Sequence, residues 1–357
     1  MSTYKRFDED DLVPGNPTEI TLGLWSGDTG SLSSFFTSSA QASASANGQY
    51  YFDVYQTNPV NVSTLPVPEI QFAVAYGNRA GGGAPTLTQD DNATLSTQAM
   101  YSQYRNLLLD PNDTQFTFAG GYNSDHIYVI NVSRSRLKEK LDPGNWLLTL
   151  SGSNGVRYFI DDSGQTLDPA VGRAGNVFNV VSGNLTGPSG STIAESQSVN
   201  WGGYGLFYPS LGIMVLNPNA ISASVGFNAT TNFYSASTAP FAASTGSSIQ
   251  HQFNHAGLYQ AIRLGGDFQA RSAETISSTN YFVRVRNKDF NYSNNPTFFD
   301  ETNGNLVLNS FIKDPRVYLT TIGMYNDQNE LLAVAKMSRP TLKSFDRELL
   351  VRVRLDW

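Results

Sequence analysis

His251 and His255 stand four residues apart in "HQFNHAG", a spacing that places both imidazoles on one face of a helix and matches that of a metal-binding pair. The glutamate of a His-Glu-x-x-His site is missing, because Gln252 holds that position, and no third ligand is marked nearby beyond Asp267. The pair therefore reads as two polar residues on a helix face. Asp161-Asp162, followed by Gly164, could open a calcium loop, but the regular Asp/Asn spacing and the closing Glu are missing. A β-turn after a strand is the better reading, and Asp90-Asp91-Asn92 is read the same way. The glycine-rich "RAGGGAP", Arg79 to Pro85, has no Lys-Ser or Lys-Thr after it and no strand–loop–helix frame, so it reads as a connection rather than a phosphate cradle. There is no Gly-x-Ser-x-Gly elbow. A glycosidase pair cannot be picked by spacing from 30 acidic residues. With no cysteine, thiol catalysis, disulfides and thiolate zinc are excluded. The expectation is a protein with no catalytic residues, no metal and no cofactor.

The residues that could do something else are those suited to docking. "VRVRNKDFNYSNNPTF", Val283 to Phe298, sets Arg284, Arg286 and Lys288 ahead of an Asn-rich loop bearing Phe290 and Tyr292 and closed by Pro296. Arg and aromatic side chains are the usual anchors of protein interfaces. An ordered loop leaving a strand is the plain alternative. Tyr325 and Trp357 join Arg284, Arg286, Phe290 and Tyr292 as candidate interface residues. In "NWGGYGLFYP", Trp201 and Tyr204 could stack on sugar rings if exposed, although such aromatics in a β-rich chain more often fill cores.

These residues need elements to hold them. Alternating or β-branched runs predict strands at Thr18–Trp25, Tyr50–Thr57, Glu69–Gly77, His126–Arg134, Trp146–Gly152 and Val156–Asp162, the last two joined over Ser153-Asn154-Gly155. Helices are expected at Thr97–Asp110, with Met100, Tyr104, Leu107 and Leu108 inward, at Arg134–Trp146, and at Ser248–Arg263. "NVFNVVSGNL", "YGLFYPSLGIMVLNP" and "ISASVGFNAT" read as short strands. Four strands end the chain, two of them a hairpin in "TTIGMYNDQNELLAVAKM" that the closing strand should join. In that closing strand Val351, Val353, Leu355 and Trp357 face opposite to Arg352, Arg354 and Asp356. The expected class is mainly β: antiparallel sandwich- or barrel-like domains with a few short helices. The expected divisions are an extended arm over residues 1–17, a mixed β domain over 18–160, a Gly/Ser/Asn-rich β domain over 161–280 and a C-terminal β domain over 281–357.

Bulk composition narrows the function classes. Charged residues are only 15% of 357, well below the usual quarter, so the surface is largely neutral and polar, as suits a protein packed against neighbours. A net charge of −7 gives no basic footprint for a nucleic-acid partner. No run approaches a membrane span, and the charged start has no signal-peptide core, so synthesis in a cytoplasm is expected.

The segment "IKDPRVYLTTIGMYNDQNELLAVAKMSRPTLKSFDRELLVRVRLDW" resembles the C-terminal part of tail and baseplate structural proteins of contractile-tailed bacteriophages. The matching positions are Ile322 to Asn326, Leu331 to Lys336, Lys343-Ser344 and Leu350 to Trp357. "VRVRNKDFNYSNNPTF" is similar to a motif in virion proteins of T-even-like phages and their marine and cyanobacterial relatives. "EIQFAVAYGNRAGGGAP", "YSQYRNLLLD" and "VINVSRSRLKEKLDPGNWLLTL" look like the N-terminal half of the same group, and Ser163 to Asn280 is the least covered stretch. The resemblance implies a non-enzymatic virion component assembled in the host cytoplasm. It would be present in several symmetric copies and in contact with other tail and baseplate proteins. It carries no catalytic residue over to this chain. A receptor- or glycan-binding adsorption protein is the alternative, and a wall hydrolase a more distant one.

Overall fold

The computed structural model describes residues 4–37, 51–59, 67–81, 85–86, 96–165, 169–185, 187–188, 202–226, 234–235 and 254–357. Its strands are β1 (Leu12–Pro14), β2 (Thr18–Gly23), β3 (Ser31–Leu32), β4 (Tyr51–Tyr55), β5 (Ile70–Asn78), β6 (Pro85–Thr86), β7 (Phe116–Phe118), β8 (Tyr122–Ser124), β9 (His126–Val132), β10 (Lys140–Gly152) and β11 (Gly155–Asp161). They continue as β12 (Ala170–Gly172), β13 (Gly175–Asn184), β14 (Gly187–Pro188), β15 (Gly205–Tyr208), β16 (Ile213–Leu216), β17 (Tyr234–Ser235), β18 (Phe268–Ile276), β19 (Ser278–Val285), β20 (Val317–Tyr325), β21 (Leu331–Lys343) and β22 (Leu349–Asp356). Three α-helices are described: α1 (Ser96–Leu108), α2 (Pro218–Val225) and α3 (Asn254–Gly265). The fold is mainly β, with 48% strand against 14% helix, and none of these helices is long and apolar enough to cross a membrane.

The chain forms two compact units, Ile20–Glu274 and a second built from Met1–Glu19 with Thr275–Trp357. The larger unit holds a curled half-barrel sheet of 13 strands, in the order β2-β18-β10-β11-β13-β15-β16-β9-β5-β4, with β3, β12 and β14 attached at its sides. This sheet runs straight through residue 160, where the sequence suggested a boundary, because β11 pairs with β13 from Phe159–Ser182 to Asp161–Val180.

Both faces of the middle strands are covered. Val74, Tyr76, Tyr128, Ile130, Met214 and Leu216 enter one core with α2 and α3. Their neighbours Ala75, Ile127, Val129, Ile213 and Val215 enter a second core with α1. That two-sided burial is why Ile127 to Ile130 of β9 and Ile213 to Leu216 of β16 read as unbroken apolar runs rather than alternating ones. Trp25, Phe72 and Phe268 meet at centroid distances of 4.9–5.8 Å, and the Trp25 indole donates to the Phe268 carbonyl at 2.7 Å. The α1 stripe is Tyr101, Tyr104 and Leu108, while Leu107, expected inward, is exposed. The helix lies so close to β5 that a Cβ on Gly77 would come within 2.8 Å of the Tyr101 nitrogen.

Two expected elements differ. Residues 134–139 are turns rather than a helix, and β10 starts at Lys140. Leu137 and Leu141 have helical spacing, but a turn followed by a strand brings both to the same core. Asp142-Pro143-Gly144 does not stop a helix; it is a register shift inside β10 between Leu141 and Trp146, a place where a strand tolerates proline. "ISASVGFNAT" is not a strand over its first half, because α2 occupies Pro218–Val225. Asn217 caps that helix by accepting from the Asn219 amide, Pro218 starts it, and Gly226 ends it with φ of 88°.

In the smaller unit β19 is central, flanked by β1 and β22. The closing strand therefore pairs with β19, from Ser278–Asp356 to Val285–Leu349, and not with the hairpin β20–β21. The arm belongs to this unit too. Lys5 donates to the Arg284 carbonyl at 2.6 Å, and the Phe7 ring lies 5.5 Å from that of Tyr281.

Candidate functional site

The six candidate interface residues fall at three places in the smaller unit. Arg284 ends the exposed face of β19, and Arg286 follows in the loop, where its carbonyl accepts from the Asp289 amide at 3.0 Å. Phe290 is exposed and holds φ of 52°, a left-handed conformation that a bulky side chain adopts only when its surroundings enforce it. Tyr292 is half exposed and packs on Phe298 and Phe299 at 5.4 and 5.6 Å. These four form one group.

Tyr325 stands apart at the end of β20, its ring 5.0 Å from Tyr4. Trp357 lies at the far end of the β19–β22 ladder, since its backbone exchanges hydrogen bonds with Ser277 while Arg284 is opposite Leu350. At about 3.3 Å per residue, roughly 20 Å of strand separates them.

Sequence reasoning missed the residue that fixes the loop. The Lys343 ammonium donates to the Asn287 carbonyl at 2.7 Å, to Asn291 Oδ1 at 2.9 Å and to the Ser344 carbonyl at 2.8 Å. The residue is fully shielded from solvent, and desolvation lowers its pKa, with Asp289 and Glu348 acting against that shift. Its three oxygen partners tie the 287–291 loop to the segment that leads into β22. The one sign of this in sequence was its place at the end of an otherwise alternating strand.

The residues weighed for metal binding lie in the larger unit. His255 is fully buried in α3 with its ring 5.0 Å from Phe52, and desolvation pushes its pKa down to about 3. It is a core residue and not part of a polar helix face. His251 lies outside the described residues. Asp267 accepts from Ser31 Oγ and from Gln269 Nε2, both at 2.6 Å. Asp161 is buried, accepts from the amides of Gly144 at 2.8 Å and Ser163 at 2.9 Å, and so fastens the irregular stretch of β10. Burial raises its pKa and these hydrogen bonds oppose the rise. Asp162 accepts from the amide and the side chain of Asn179. Gln165 then closes a turn onto the Asp162 carbonyl, as expected for a β-turn. Asp90-Asp91-Asn92 and Gly82 to Ala84 are outside the described residues. No cluster of three metal-ligating side chains occurs among the described residues.

A second buried knot was also missed. His126 sits between Tyr76, whose hydroxyl is 3.0 Å from Nδ1, and Asn219, whose Oδ1 is 3.3 Å from Nε2; Asn219 in turn donates to the Tyr122 hydroxyl at 2.8 Å. Desolvation lowers the His126 pKa to about 4, so the ring is neutral at pH 7.

The described aromatics of "NWGGYGLFYP" fill cores, the commoner role for such residues in a β-rich chain. Tyr204, Phe207 and Tyr208 are buried, Tyr204 against Phe159 at 5.1 Å, and Trp201 is outside the described residues.

What distinguishes the smaller unit is the inversion of its apolar surface. Among the described residues it buries five apolar side chains (Val285, Phe298, Val317, Met324 and Val353) and exposes seventeen large ones. In the larger unit buried apolar side chains far outnumber exposed ones. Around the β20–β21 turn the exposed set includes Tyr325, Leu331, Leu332 and Val334. No family model, no curated protein and no solved structure matches the chain.

Proposed function

We propose that this chain is a structural subunit of a contractile phage tail, at the baseplate or another tail-associated position, and that it works through protein–protein contacts of its terminal unit. The observation that carries the reading is the five-to-seventeen inversion in that unit. A free-standing soluble domain buries its large apolar side chains, and exposing so many marks a surface made to be covered. The hairpin β20–β21 points the same way, since a two-stranded ribbon is only marginally stable without something packed on it. The tail assignment itself rests on the resemblance of the quoted segments to tail and baseplate proteins. On this reading the chain is made in the host cytoplasm, takes its place beside other tail proteins in several copies, and catalyses nothing. The glycan-binding alternative leaned on Trp201 and Tyr204 together, and the burial of Tyr204 takes one of the two out of reach of a sugar ring. Mass spectrometry of purified virions tests the proposal, together with disruption of the gene. The chain is expected in the tail fraction, and its loss is expected to leave particles with incomplete tails. A chain absent from virions, with tails intact without it, contradicts the proposal.

A further inference from the structure

β22 is an edge strand of the smaller unit's three-stranded sheet. Trp357 and Ser277 exchange both backbone hydrogen bonds, at 2.9 and 3.0 Å, and the register runs without a shift from there to Val285–Leu349. In an antiparallel ladder such pairs recur every second residue. Leu355, Val353, Val351 and Leu349 therefore spend their backbone groups on β19. Leu350, Arg352, Arg354 and Asp356 turn theirs away, and β22 has no partner on that side among the described residues. The side chains of these four are exposed. The strand is eight residues long, has no proline and no bulge, and so lacks most of the devices that keep an edge from pairing.

We propose that a second copy of this chain adds its β22 antiparallel to this edge about a two-fold axis, giving a continuous six-stranded sheet. The charge pattern selects the occupant. Centring the pairing on Leu355 sets Arg354 of each copy directly opposite Asp356 of the other, using backbone groups that point outward in both. Shifting the centre to Val353 instead sets Arg352 opposite Arg354 twice, and like charges in that position destabilise a sheet. Arg354 and Asp356 already form an ion pair within one strand, at 2.7 Å and with both side chains about half exposed. In the dimer the four charges alternate around the axis. Val353 falls opposite Trp357 of the other copy, which covers part of an indole that is 65% exposed in the single chain. An isologous contact of this kind is self-limiting and gives a closed pair. The inference stands independently of the tail reading: a protein located in a tail can be monomeric before assembly, and a dimer in solution says nothing about where it ends up.

Sedimentation of the full chain over a range of concentrations tests it. The wild-type chain is expected to dimerise. Arg354→Asp and Asp356→Arg are each expected to weaken the dimer about tenfold or more, because each places like charges opposite. An equimolar mixture of the two variants is expected to associate again, since every facing pair is then of opposite sign. Recovery on mixing also demonstrates that both variants are folded. Arg354→Pro removes only an outward N–H, leaves the β19 ladder intact, and is expected to be monomeric. A wild-type chain that stays monomeric, single variants that dimerise as tightly as wild type, or monomeric variants that fail to associate on mixing would each overturn the proposal.

Discussion

At the residue scale, buried ionisable groups take part in holding the fold of the larger unit. His126 and His255 are neutral in the folded chain, with pKa values lowered by burial to about 4 and about 3 from the ordinary 6.5. Between those values the unfolded chain binds protons that the folded chain refuses, so stability is full above about pH 6.5 and falls as the pH drops toward 4. His126 alone accounts for on the order of 3 kcal/mol of that loss. Urea unfolding at pH 7 and pH 4.5 should show the decline, and His126→Asn should remove its share of the pH dependence. A flat profile would contradict the assignment. Asp161→Ala leaves the partly buried amides of Gly144 and Ser163 without this acceptor and should cost about 1–3 kcal/mol in the same assay. Lys343→Met should free the 287–291 loop, read as faster amide exchange there while the larger unit is unchanged. None of these three roles was legible in sequence, because each depends on a partner far along the chain, such as Gly144 for Asp161 or Asn219 for His126.

At the element scale, strands with one wet face were legible and the irregular joints were not. The alternation of β22 was readable, as was the β10–β11 hairpin over Ser153-Asn154, because each is set by local pattern or turn chemistry. The α2 helix was hidden although Asn217, Pro218 and Gly226 spell its start and end, because "ISASV" alternates like a strand. Strand partners were beyond reach: nothing in "ELLVRVRLDW" says that it pairs with β19 rather than with the hairpin that precedes it. That pairing gives deletion of Ser338 to Trp357 a definite consequence. It removes β22 and the second half of β21, bares the inner edge of β19 and exposes Val285 and Val317, so the truncated chain should be insoluble on expression. A soluble truncation would count against the account. Gly77→Val should cost about 1–3 kcal/mol by forcing α1 away from β5, measurable as a lowered unfolding midpoint.

At the scale of the whole molecule, the mainly β class followed from composition and strand pattern, whereas the division of labour did not. The chain leaves the smaller unit after residue 19 and returns to it at 275, a topology that linear composition cannot reveal. Once the units are separated, the contrast between a filled core in one and an exposed apolar surface in the other gives the assembly reading its physical basis. The low charge content and absence of cysteine agree with it, since stability can then come from burial against neighbours. The most direct measurement is an electron-microscopy map of the intact virion at a resolution that traces side chains. The account predicts this chain in the tail, at the baseplate or another tail-associated position, with the exposed apolar residues of its smaller unit buried against neighbouring subunits. Density for the chain in the capsid shell, or a tail position that leaves Leu331, Leu332 and Val334 in solvent, would contradict it.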